Sequence, residues 1–158
     1  MRRIRSGGEE RGQATVEFAI VIPLLLLLIV GLFEFGKTFN YWISLNHLAN
    51  EGARWAAVDK VPPNIATPSG NDIKNYIKSQ VLTGELQNNV GSNGIKLCFT
   101  GTSPEPQVGD AVTVRLAARN PIRLLSGVMN ITIVGSATMR LERAPASVQQ
   151  RAGWVPCT

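Results

Sequence analysis

At 158 residues with 44% hydrophobic composition, the chain has room for one modest domain plus an anchor. The net charge of +5 does not point to nucleic acid: residues 1–12 hold four arginines and two glutamates, and the remaining bases are scattered, without a dense run or arginine–aromatic interleaving. A single histidine, His47, and no GxxxxGKS/T, GxSxG or HExxH motif argue against an enzyme, so neither a catalytic residue nor a metal or cofactor set is expected.

The first element is a basic leader, MRRIRSGGEERG (1–12), followed by a membrane-type segment over 13–36. The uninterrupted apolar run, Phe18 to Phe33, is short for a span. With Ala14–Val16 and Phe35–Gly36 added, and Glu17 and Glu34 near the two faces, the helix reaches ~20 residues, enough for ~30 Å of hydrocarbon. Pro23 is more tolerable in such a helix than in water. Arg2, Arg3, Arg5 and Arg11 precede the span and Lys37 alone follows it closely, which places the N-terminus in the cytoplasm and the rest beyond the cytoplasmic membrane, in the periplasm or cell exterior. A removable signal peptide is the rival reading, but LFEFGKTFNYW lacks the small-x-small cleavage site it needs.

Helical spacing continues past the span. Phe35, Phe39, Trp42, Leu45, Ala49, Ala53 and Ala56 recur every three or four residues, so one helix is expected from about Ala14 to Val58, its 37–60 portion standing in water with one side packed. The small residues of NEGARWAAV invite close approach of another element, and Glu51 and Arg54 are spaced to pair on the helix surface. VPPNIATPSGN (61–71) breaks the helix and opens a head domain, residues 61–158. A shorter helix follows, with Asn71 or Asp72 capping IKNYIKSQVL, and TGELQNNVGSNG reads as a turn-laden connection. The remainder alternates like strands: Ile95, Leu97 and Phe99; Val112, Val114 and Leu116; then Ile131 and Ile133, with Gly135 as a bulge. NPIRLLSG reads as a turn or half-helix, and the tail APASVQQRAGWVPCT has no period. The expected fold is α+β: a long N-terminal helix, a short helix and a small antiparallel sheet.

Cys98 and Cys157 form an even pair on the outer side of the span. They read as one disulfide, two separate thiols being the alternative. The chemistry proper lies in GQATVEF. The stretch resembles the type IV prepilin processing signal, a glycine, four residues, then glutamate, which implies that Gly12 offers a backbone without a side chain to a narrow protease cleft. A cut after it would create an α-amine on Gln13, one helical turn from Glu17 on the same face. Spacing alone leaves two readings of Glu17: partner of a neighbouring subunit's amine, or a solvated acid near a helix N-terminus.

The run RGQATVEFAIVIPLLLLLIVGLFEFGKTF, followed by LANEGARWAAV, resembles the TadE-like family of tight-adherence (Flp-type) pilus proteins. Their common features are a basic leader, G-Q-A-x-V-E-F, a proline-then-leucine run, G-x-x-E-F-G and E-G-A-R; the resemblance covers residues 11–58. It implies a pseudopilin or minor pilin processed by a prepilin peptidase. Its partners would be membrane lipid, other pilins, the pilus platform and its secretion ATPase. On this resemblance Gly12 and Gln13 flank the cut, Glu17 is the assembly glutamate, and Glu51, Gly52, Ala53 and Arg54 form the family's helix motif. Gln13 stands where type IVa pilins carry phenylalanine. The alternative is an uncleaved, single-pass envelope protein with a structural or binding role.

Overall fold

A computed structural model describes residues 9–60, 72–81, 83–91, 93–101, 105–124, 127–145 and 154–157. The first eight leader residues, the proline-rich breaker with Asn71, and most of the tail lie outside them. Helix α1 runs from Glu9 to Ala57, unbroken through Pro23. It begins earlier than expected, before Gly12. It ends where Asp59 turns to φ 48°, with the amide of Lys60 donating to the carbonyl of Trp55.

Two short helices follow, α2 (Asp72–Ser79) and α3 (Gly84–Val90). The second corrects the reading of 83–94 as turns alone. Thr83 caps α3 by accepting from the amide of Leu86, and Leu86 and Val90, four apart, bury the same face. The strands are β1 (Ile95–Thr100), β2 (Ala111–Leu124), β3 (Gly127–Arg140) and β4 (Trp154–Pro156), in spatial order β3-β2-β1-β4. The sheet is mixed, not purely antiparallel: β1 pairs antiparallel with β2, and β2 with β3, whereas β4 lies parallel to β1. The aperiodic tail hid β4, which has only three residues.

Two further expectations are overturned in the hairpin. Residues 120–124 continue β2 instead of forming a half-helix. Pro121 is accommodated because the β1 ladder ends at Leu116 and the Ala117 amide makes the last bond on that side, to the Gly94 carbonyl; among the described residues only β3 pairs with β2 at Pro121. Gly135 is not a bulge, since the register runs unbroken through Leu116↔Gly135. It marks the place where α1 crosses the sheet: a Cβ there would lie 2.5 Å from the backbone carbon of Leu45.

The core forms between the sheet and the upper part of α1. Tyr41, Leu45, Leu48, Ala49, Ala53 and Ala56 pack on Leu97, Val112, Val114, Leu116 and Ile133, with Ile77, Leu86 and Val90 from the short helices. The lower part of the expected stripe does not join it. Phe35, Phe39 and Trp42 are exposed and stack along the outside of α1, because the packed face passes through Tyr41 and Leu45 instead. Asn120, fully buried, reaches α1 by donating to the Thr38 hydroxyl at 2.9 Å.

Candidate functional site

The expected processing and assembly residues occupy the free end of α1. From residue 12 to 40 no side chain of the helix is fully buried. Val16, Phe18, Ile20, Leu24, Leu32 and Phe33 are all more than half exposed. The helix is long and apolar enough to cross a membrane.

Within this end, the Gln13 side-chain amide donates to Glu17 Oε1 at 3.2 Å, an exposed i,i+4 contact worth a few tenths of a kcal/mol. The geometry therefore puts Glu17 on the face of residue 13. Gly12 does not precede the helix, as the sequence suggests, but lies in its first turn. That turn is cheap to open, because its amides have no intrahelical acceptors. A Cβ at Gly12, Gly31 or Gly36 would meet nothing within 4 Å. Among the described residues nothing crowds these glycines, unlike Gly52 and Gly135.

The Glu-Gly-Ala-Arg segment is placed in the opposite setting. Gly52 is buried, and a Cβ on it would collide with Ile77 of α2; Ala53 is fully buried. Glu51 does not pair with Arg54. Its Oε1 accepts from the Tyr76 hydroxyl at 2.8 Å, and this bond to a carboxylate, ahead of burial, holds the Tyr76 phenol above its ordinary range. Trp55 meets the Tyr76 ring edge-on, 5.9 Å between centroids. The motif thus seats α2 on α1. Arg54 stays exposed on an open groove shared with His47, Trp55, Met139 and Glu142.

A third cluster, missed in the sequence, stands where the free and packed parts of α1 meet. Lys37 pairs with Glu85 of α3 at 2.9 Å, and the Tyr41 hydroxyl donates to the other oxygen of Glu85 at 2.8 Å. The hydrogen bond to Glu85 raises the Lys37 ammonium; burial, then the same bond, raises the Tyr41 phenol. The separation of 48 residues between Lys37 and Glu85 left no sequence signal for it.

Cys98 and Cys157 are joined, closing a separation of 59 residues. The bridge fastens β4 to β1 beside the Cys157 amide, which donates to the Phe99 carbonyl. A three-residue parallel strand is a weak pairing by itself, and the disulfide supplies what the ladder lacks, with a loop-entropy contribution of about 4 kcal/mol at most.

Among the described residues no three His, Cys, Asp or Glu side chains form a group able to hold a metal ion. The family model described as a TadE-like protein matches residues 12–54, from Gly12 to the last residue of the Glu-Gly-Ala-Arg segment. The resemblance seen in the sequence is met over that stretch, and it suggests involvement in Tad pilus assembly. No curated protein and no solved structure matches the chain.

Proposed function

We propose that this chain is a minor pilin or pseudopilin of a Tad (Flp-type) pilus. In this reading the free end of α1 anchors it in the cytoplasmic membrane with the N-terminus inside, and the α+β head lies in the periplasm or cell exterior. A prepilin peptidase cuts between Gly12 and Gln13. The protein catalyses nothing; it acts through contacts with other pilins, the platform and its secretion ATPase. The observation that carries this reading is the TadE-like match over 12–54 on a helix in which no side chain from residue 12 to 40 is fully buried within the molecule.

The physical role of Glu17 follows from its position. Once the Gly12–Gln13 bond is cut, an ammonium replaces the peptide at Gln13, one turn from Glu17. In a staggered bundle of such helices, the carboxylate of one subunit meets the ammonium of the next. An unpaired carboxylate in hydrocarbon costs about 2.5–3.5 kcal/mol or more, so only the register that pairs the charges is stable. Replacing Glu17 by leucine should leave the protein in the membrane and abolish its support of piliation; full piliation with Glu17→Leu contradicts the pairing. One observation favours a second reading, the uncleaved envelope anchor: α1 is continuous through the Gly12–Gln13 peptide, and Gln13 already occupies Glu17.

A further inference from the structure

One side of α1 carries an apolar surface that does not stop where the membrane-type segment ends. Leu24, Leu28, Leu32, Phe35, Phe39 and Trp42 follow at intervals of three and four, so they lie one above another. Each is 47–70% exposed. The last three form a ladder of rings, with centroids 6.3 Å apart from Phe35 to Phe39 and 5.8 Å from Phe39 to Trp42. The next positions of the series are Asn46 and Asn50, whose amides donate to the Trp42 and Asn46 carbonyls. On this side the apolar surface therefore ends between Trp42 and Asn46.

On the side that carries the head, the open apolar surface ends about three turns lower. Glu34 is the first charge after the run Phe18–Phe33. Lys37 and Tyr41, both bonded to Glu85, and Thr38, bonded to Asn120, follow on the same face. At 100° per residue the two sides stand about a third of a turn apart.

A membrane has one boundary, and an upright helix cannot meet it on both sides. With Glu34 at the edge of the hydrocarbon, Trp42 would stand about 12 Å higher, beyond a headgroup layer of about 5–7 Å. A lean of about 30° toward the ladder, within the range of spanning helices, lowers Trp42 relative to Glu34 by roughly 5 Å. All three rings then reach the interfacial layer, where a tryptophan keeps its ring apolar and its N–H wet. The same lean raises the head-bearing side, with its Lys37–Glu85 pair, toward water. A neighbouring helix is a poorer occupant of this side. Helices in membranes meet closely through small residues, and from Leu24 to Trp42 every member of the series is leucine, phenylalanine or tryptophan.

We infer that Phe35, Phe39 and Trp42 seat α1 in the phospholipid headgroup layer of the leaflet beneath the head, and that the helix leans toward them. This rests on the reading of α1 as the membrane anchor. The ladder thereby sets the orientation of the head above the membrane before any other subunit is met.

The test places the photo-reactive residue p-benzoylphenylalanine at Leu28, at Trp42 or at Asn50 in the full chain, irradiates native membranes and identifies the adducts by mass. The three positions share one side of α1, and Asn50 stands about 12 Å above Trp42. Phospholipid adducts at Leu28 and Trp42, several-fold above any at Asn50, are expected. Lipid adducts at Leu28 with only protein adducts, or none, at Trp42 overturn the ladder's seat while the anchor stands. No lipid adduct at Leu28 overturns the anchor, and the seat with it.

Discussion

One helix, α1, contains two regions of different kind. Its upper part, from Tyr41 to Ala57, carries fully buried side chains against the sheet, and at its glycine, Gly52, the Ile77 side chain of α2 lies where a Cβ would be. Its lower part, from Gly12 to Phe39, is open along most of its length, and its glycines have room for side chains. The same backbone thus serves two sets of partners. Residues of the upper part answer to the head's own core; on the function proposed above, residues of the lower part below Lys37 answer to the membrane and to other subunits.

The largest effect that tests this contrast comes from shortening leucines in each part. Leu45 is fully buried, so Leu45→Ala should destabilise the head by about 2–5 kcal/mol. Leu26, 54% exposed, should change head unfolding negligibly when replaced by alanine. Thermal unfolding of the full chain in detergent, followed by near-ultraviolet circular dichroism, reads both; equal losses break the division. Next come the glycines. Gly135→Ala forces α1 and β3 apart and should cost about 1–3 kcal/mol, whereas Gly12→Ala should leave head stability unchanged and strengthen the first turn of α1 by roughly 0.5–1 kcal/mol.

The smallest effect lies at the junction of the two parts. Lys37 and Tyr41 both have pKa values raised in the folded protein. Groups raised on folding lend stability that is full below their ordinary values, 10.5 and 10.0, and is lost as pH rises through the raised ones. The head should therefore melt earlier at pH about 11 than at about 9, and a Lys37→Met, Tyr41→Phe variant should show a shallower loss. An identical loss in the variant assigns the alkaline sensitivity elsewhere.

Sequence patterning made some of this legible and concealed the rest for physical reasons. Alternation identified Ile95, Leu97, Phe99, Val112, Val114 and Leu116 as inward, because each strand carries its own record of which face is covered. The spacing of Phe35, Phe39 and Trp42 named a helix face but not what covers it, and the head does not. Helix α3 was hidden by a glycine- and asparagine-rich composition, although the Thr83 cap and the Leu86–Val90 spacing were present. Gly135 read as a bulge because its real cause, the backbone of Leu45, is remote in sequence. The Gly12, Gln13 and Glu17 set was legible because it fits within about one and a half helical turns and needs no tertiary contact to assemble.

The central claim is that the free end of α1 is shaped for partners outside the chain, beginning with a peptidase at Gly12. The most direct measurement is the N-terminus and intact mass of the protein isolated from membranes of cells with an active prepilin peptidase, for the natural sequence and for Gly12→Val. The account predicts a natural chain that starts at Gln13 and a variant that keeps residues 1–12. A natural chain that retains the leader would contradict it.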